Sequence, residues 1–240
     1  MDKIIAFGDS VMKGVVFDGE TYHTIKESFA SMLAAGLGLR LLNFAKMGHT
    51  IKEGLKVFER MKTRIEPDDL VLLEYGGNDC DFDWPSIGKH PESVHRPKTD
   101  IAQFRESYCH LIDMIKARGA KPLLFSLPPL EAAWYYHFFT KPLDRQSTSN
   151  ILGWLNGVVE HIANWHEQYN LAVFQVAIET STPIVDISSP LLSRKDYAKY
   201  ICLDGIHPNQ DGHRMIYEFS HHSPTILPPF PHTSPISIGT

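Results

Sequence analysis

The chain has 240 residues, 43% of them hydrophobic and 21% charged, with a formal net charge of −5; these are the proportions of an ordinary water-soluble globular protein. The acidic balance argues against a nucleic-acid or anionic-membrane partner, and no apolar run approaches the roughly 18 residues of a bilayer span. Three unevenly spaced cysteines, Cys80, Cys109 and Cys202, fit reduced thiols in a cytoplasmic protein better than a disulfide framework, and Met1-Asp2-Lys3 lacks the basic region and cleavage site of a secretory signal.

Ile4, Ile5, Ala6 and Phe7 form an apolar, β-prone run that stops at Gly8-Asp9-Ser10, the pattern of a buried strand entering a tight turn that carries a hydroxyl. Ile25, Phe29, Met32, Leu33 and Leu37 then recur at helical spacing, which predicts an amphipathic helix over 22–37. A second strand is expected over 39–45, followed by a loop holding Gly48. Thr50 and Glu53 make a capping box for a helix with Ile51, Leu55, Phe58 and Met61 on one face. The third strand, 70–75, is apolar as a central parallel strand should be, and it ends in Gly76-Gly77-Asn78-Asp79.

Residues 80–98 lack periodicity and read as a long loop, a length usually associated with function or disorder. A helix capped at Thr99 or Asp100 and a fourth strand over 122–127 follow. The aromatics Trp134, Tyr135, Tyr136, Phe138 and Phe139 fall in a second irregular segment, 130–148. They suit either a satellite core under the loop or the wall of a substrate pocket. A helix from Ser149 or Asn150 with Ile151, Leu155, Val158, Ile162 and Trp165 inward, a helix over 171–179, a short strand over 183–187 and a last helix carrying Met215, Ile216 and Phe219 complete the pattern. The alternation gives an α/β fold, a parallel sheet of about five strands covered by helices on both faces. Residues 1–222 are expected to form one domain. Residues 223–240 hold five prolines and no Asp, Glu, Lys or Arg, and read as an irregular tail.

A serine hydroxyl is a weak nucleophile until a base takes its proton, and the base needs a partner that fixes its tautomer. Among 13 histidines, His207 stands three residues after Asp204 in a Gly-containing turn closed by Pro208, a spacing that lets the carboxylate reach Nδ1. Asp204 capping a turn beside a surface histidine is the plainer alternative. Asn78, at the end of a central strand, can donate its amide into the crevice where open α/β sheets bind ligands. Position 12 is Met, so the G-x-S-x-G nucleophile elbow is absent. Asp79-x-Asp81-x-Asp83 resembles the start of a calcium loop, but Trp84 stands where glycine is needed. No metal and no organic cofactor is expected. His161 and His166, five apart, turn away from one another and read as solvent-facing or packing residues; Cys80 reads as a small buried filler.

Gly8-Asp9-Ser10, Gly48, Gly76-x-Asn78-Asp79 and Asp204-x-x-His207-Pro208 occur in the order and spacing of the SGNH (GDSL) hydrolases, which the chain resembles from residue 3 to about 217. Val11 stands where the family name has Leu. The resemblance implies a three-layer, flavodoxin-like sandwich with strand order 2-1-3-4-5. It also implies Ser10 as nucleophile, His207 as base oriented by Asp204, and an oxyanion hole from the Ser10 and Gly48 N–H groups and the Asn78 amide. Asp9, Asp79, Trp134 and Tyr135 are candidates for the substrate pocket. The expected activity is a serine esterase (a lipase or acylhydrolase) that cleaves small-molecule acyl esters through an acyl-enzyme. A carbohydrate O-acetyl esterase acting on acetylated sugars is the alternative within hydrolases. A non-catalytic flavodoxin-like binding module, or a silent homologue serving as a scaffold, is the alternative outside them.

Overall fold

The computed structural model describes residues 3–223. In chain order its strands are β1 (Lys3–Gly8), β2 (Val15–Phe17), β3 (Tyr22–Thr24), β4 (Arg40–Asn43), β5 (Leu70–Glu74), β6 (Lys121–Phe125) and β7 (Ile184–Val185). Five of them form one parallel sheet in the order β4-β1-β5-β6-β7. The expected order 2-1-3-4-5 is thereby corrected in its numbering, because an unforeseen antiparallel hairpin, β2–β3, lies between β1 and β4 and outside the sheet.

That hairpin also corrects the helix expected over 22–37. Val15 pairs with Thr24 and Phe17 with Tyr22, so the chain is still extended where the helix was placed. The helix α2 begins only at Phe29 (Phe29–Gly36), after Ser28 caps it by accepting from Ser31 N. Two apolar residues at the front of the spacing, Tyr22 and Ile25, had lengthened the apparent period.

β1 shows why the sheet is central. All six of its residues are buried. Ile5 and Phe7 join a core beneath α3 (Ile51–Met61), α5 (Ile101–Lys116) and α8 (His161–Glu179). Ile4 and Ala6 face the opposite core beneath α2, α9 (Ser188–Leu192) and α10 (Gln210–His221). A strand buried on both faces reads as a continuous apolar run, and each Ile or Phe so buried stabilises the fold by about 1.5–3 kcal/mol.

The two segments expected to be irregular contain helices. α4 (Trp84–Lys89) is capped by Asp83 within 80–98, and α6 (Ala132–Thr140) carries the aromatic cluster. α7 (Arg145–Trp154) starts before residue 149 and stops short of Leu155. The single helix expected from Ser149 or Asn150 is therefore two, broken where Asn156 and Gly157 take positive φ (53° and 77°). Apolar spacing across that break had disguised it, and Val158, expected inward, is 42% exposed. α4, α6, α7 and the start of α8 enclose a third, separate core around Phe82, Trp84, Ile151 and Leu155. Residues 224–240, most of the expected tail, lie outside the described residues.

Candidate active site

β1 delivers Ser10 to the carboxyl edge of the sheet. Asp9 follows the strand and caps the four-residue helix α1 (Ser10–Lys13), its Oδ1 accepting from Val11 N at 2.9 Å. Gly8 lets that helix fold back tightly, since a Cβ there would lie 2.4 Å from Met12 Cβ and 2.7 Å from Glu74 O. Ser10 is the first residue of α1 and 6% exposed. Its own N–H belongs to the first turn of a helix, where backbone donors have no intrahelical acceptor.

The turn at residues 204–207 is held by one buried carboxylate. Asp204 Oδ1 accepts from the N–H groups of Ile206 and His207, each at 3.2 Å, while Oδ2 lies 2.5 Å from His207 Nδ1. A carboxylate partner places the ring proton on Nδ1 and leaves Nε2 as an acceptor. Burial works to raise the Asp204 pKa, but the hydrogen bond and charge of His207 outweigh it and hold the carboxyl below its ordinary value. The Tyr22 ring stands edge-on to the imidazole, centroids 5.3 Å apart. Burial and the Asp204 charge push the Tyr22 hydroxyl pKa up, so it stays a phenol. Thus the β2–β3 hairpin that sequence periodicity missed supports the histidine.

A second carboxylate arrangement lies under Asn78. Asn78 Nδ2 donates to Asp9 Oδ2 at 3.0 Å, which leaves the other amide hydrogen free for the cavity. Behind Asp9 is Glu74, 1% exposed, with Oε2 lacking a hydrogen-bond partner in the described structure. Burial first, and then the neighbouring Asp9 charge, push the Glu74 carboxyl well above its ordinary pKa. Burial raises Asp9 too, although Val11 N, Glu74 and Asn78 offer it hydrogen bonds. Two adjoining buried carboxyls cannot both ionise cheaply, so Glu74 keeps its proton and donates it to Asp9.

Ser10, Gly48, Asn78, His207, Asp9 and Tyr135 line one cavity of ≈ 150 Å³, and Asp204 sits behind His207 at 0% exposure. Gly48 takes a left-handed φ of 78°, a conformation that favours glycine. Ser10 Oγ makes no hydrogen bond to the imidazole; such contacts often close only when substrate binds. Two pocket candidates are not brought there. Asp79 is fully buried, with both carboxylate oxygens accepting from Ile51 N at the start of α3 (3.2 and 3.1 Å), and burial pushes its pKa up to about 7. Trp134 is half-buried and lies outside the cavity wall. Tyr135 and Phe139 serve mainly the satellite core.

Sequence reading missed Tyr22, Glu74, Phe82, Trp84, Trp165 and His166 as wall residues. Glu74 had a visible signal, a lone acid in an otherwise apolar strand. His166 had none: it is 7% exposed, and burial lowers its pKa to about 4. The carboxylates of 79–83 are spent separately. Asp81 accepts from Trp84 Nε1 and Tyr135 OH, and Asp83 caps α4.

The GDSL-like lipase/acylhydrolase family model matches residues 6–215. A GDSL esterase/lipase, WDL1, of Oryza sativa subsp. japonica is 22% identical over 179 residues, 72% of this chain and 60% of the rice protein. An uncharacterized lipoprotein, YqeF, of Bacillus subtilis is 23% identical over 187 residues, 77% of this chain and 70% of that protein. Among solved structures, a lipase/acylhydrolase from Enterococcus faecalis superposes with a TM-score of 0.63 at 16% identity, over 94% of this chain and 96% of that one. Axe2, an acetylxylan esterase from Geobacillus stearothermophilus, gives 0.63 at 17% identity, over 91% and 92%.

Proposed function

The chain belongs to the GDSL-like lipase/acylhydrolase family, hydrolases of ester bonds, and we propose that within it this protein is a serine esterase working through Ser10, His207 and Asp204. The observation that carries this reading is the 2.5 Å contact between His207 Nδ1 and Asp204 Oδ2, which leaves Nε2 free to act in the cavity that Ser10 lines.

In the first half-reaction His207 Nε2 takes the Ser10 hydroxyl proton as Oγ attacks the ester carbonyl. The oxygen becomes an anion, met by the N–H groups of Ser10 and Gly48 and by the Asn78 amide hydrogen that Asp9 leaves free. Each such donor is worth roughly 3 kcal/mol of barrier. His207 then gives its proton to the leaving alcohol, forming an acyl-serine. In the second half-reaction His207 takes a proton from water, hydroxide attacks the acyl carbon, and Ser10 regains its proton as the acid leaves. Asp204 stabilises the imidazolium in both.

Small-molecule acyl esters are the substrates of this reading, with acetylated sugars as a second arm because a structure of the same fold is an acetylxylan esterase. The three cysteines are unpaired, which supports a reducing, cytoplasmic setting. No helix among the described residues is long and apolar enough to cross a membrane. Ser10→Ala is expected to lower turnover of 4-nitrophenyl acetate by at least about a thousandfold, with the circular dichroism spectrum unchanged. Wild-type turnover in that variant would remove Ser10 from the mechanism.

A further inference from the structure

Chemistry at Ser10 uses only part of the cavity. The remainder is walled by Phe82, Trp84, Leu130, Ile162 and Trp165. Most polar groups in this wall are already satisfied, the Trp165 indole N–H and one other side chain excepted. Asp81 accepts from Trp84 Nε1 at 2.8 Å, Tyr135 OH at 2.9 Å and Lys98 Nζ at 2.9 Å. The Cys80 thiol donates to Gly77 O at 3.2 Å. His166 lines the same wall, is 7% exposed, and has no hydrogen-bond partner among the described residues. Ile162, Trp165 and His166 stand three and four apart on α8, so one helix face presents all three to the cavity. Burial keeps the imidazole neutral, able to donate from one nitrogen and accept at the other. The His166 nitrogens are not among the fully buried unpartnered atoms, so a ligand hydroxyl in the cavity can donate to one or accept from the other.

The reaction decides which half of the ester enters. His207 must reach the leaving oxygen, so the alcohol lies on the side of His207 and Tyr22. The acyl group then lies on the Asn78 side, where residues 80–84 continue directly from the oxyanion donor. The whole cavity, of which this pocket is one part, measures about 150 Å³, a benzene-sized space, so the acyl group must be compact, and aromatic walls favour ring–ring contacts.

We propose that this end of the cavity is an acyl pocket for a compact, ring-sized acyl group bearing a distal hydroxyl, with His166 as the specificity-determining residue that hydrogen-bonds it. The inference rests on the serine-esterase reading above and adds the substrate class. The test compares two esters of equal intrinsic reactivity, 4-nitrophenyl phenylacetate and 4-nitrophenyl (4-hydroxyphenyl)acetate, with 4-nitrophenyl acetate as the reporter of the Ser10 chemistry. In the wild-type protein both ring esters should exceed the acetate in kcat/KM, and the hydroxyl should add about threefold or more. His166→Phe should reduce that hydroxyl advantage to about one, and His166→Gln, which keeps a donor and an acceptor, should restore part of it. Equal kcat/KM for the two ring esters in the wild-type protein would overturn the proposal even if neither variant folds. An advantage that survives His166→Phe, or a preference that follows a ring in the alcohol rather than in the acyl group, would overturn it too. Loss of the acyl-pocket pattern with Ser10-dependent acetate hydrolysis intact refutes the pocket alone. Acetate hydrolysis that does not depend on Ser10 refutes the esterase reading beneath it.

Discussion

Glu74 shows what a single side chain can cost and supply at this site. Its carboxyl is buried against Asp9, and Asp9 in turn accepts from the Asn78 amide, so the proton on Glu74 keeps the pair at one negative charge. The sign of its effect on stability follows from the raised pKa. Below the ordinary carboxyl value of 4.5, folded and unfolded states are both protonated and nothing is lost. As pH rises above it the unfolded chain ionises while the folded one does not, and stability falls until the folded pKa is reached. Gln has the shape of the protonated acid and does not titrate. Glu74→Gln should therefore gain on wild type by up to about 1.4 kcal/mol for each pH unit above that point, read by urea unfolding at a series of pH values. Its kcat should stay within about threefold of wild type, because the Gln amide still donates to Asp9. A stability difference that does not change with pH would show that Glu74 is ionised in the fold.

At the scale of elements, the proposed site depends on how α6 meets the turn that carries Asp204 and His207. Glu131 N donates to Gly205 O at 2.8 Å, and a Cβ on Gly205 would lie 2.4 Å from Tyr135 N and 2.7 Å from Glu131 O. Both neighbours are backbone and cannot swing aside. Gly157, between α7 and α8, shares the positive φ but has nothing within 4 Å of a built Cβ. The two glycines separate conformation from packing. Gly157→Ala should cost about 1 kcal/mol for the left-handed backbone alone, with esterase activity retained. Gly205→Ala should cost about 3 kcal/mol or more and lower kcat, because the displaced turn carries both Asp204 and His207. Equal losses of stability in chemical denaturation would mean that the contact with α6 is not tight. The aromatic helix α6 thus has a clear structural duty, bracing the turn and feeding the satellite core.

The whole molecule responds to acid through a buried histidine that has no carboxylate partner. His213, on α10, is fully buried and stacked on Phe29, with ring planes 11° apart. Its Nδ1 accepts from Phe29 N at 3.5 Å, so it is neutral in the fold. Burial, and then the charge of His207, lower its pKa from 6.5 to about 4. The unfolded chain binds the proton first as pH falls, so the stability of the neutral form is complete above 6.5 and lost as pH drops toward 4. Relative to a His213→Gln variant, wild type should lose about 2 kcal/mol of unfolding free energy between pH 7 and 5. Taking the difference between the two proteins cancels the opposing trend of Glu74. Parallel pH profiles would place a proton on His213 in the native state.

By itself the sequence determined the sheet and the blocks that meet at one cavity. Ile4 to Phe7 could only be a buried strand, and the blocks around Ser10, Gly48, Asn78 and His207 sit at strand ends because that is where an α/β sheet presents its loops. The Thr50–Glu53 capping box formed as the spacing required, since caps are local chemistry. What the sequence could not decide was set by contacts between distant residues. β2 and β3 have no independent reason to form: Phe17 and Tyr22 pack on Phe138 of α6, more than a hundred positions away in the chain. Asp79 and Trp134 carried the right chemistry in the right stretch, but the carboxylate turned to the N-terminus of α3 and the indole stayed outside the cavity wall. His166 and Glu74 became part of the wall only when α8 and β5 were brought to the same crevice. Local patterns encode periodicity and caps, whereas a cavity is made of surfaces that meet only after the chain has folded.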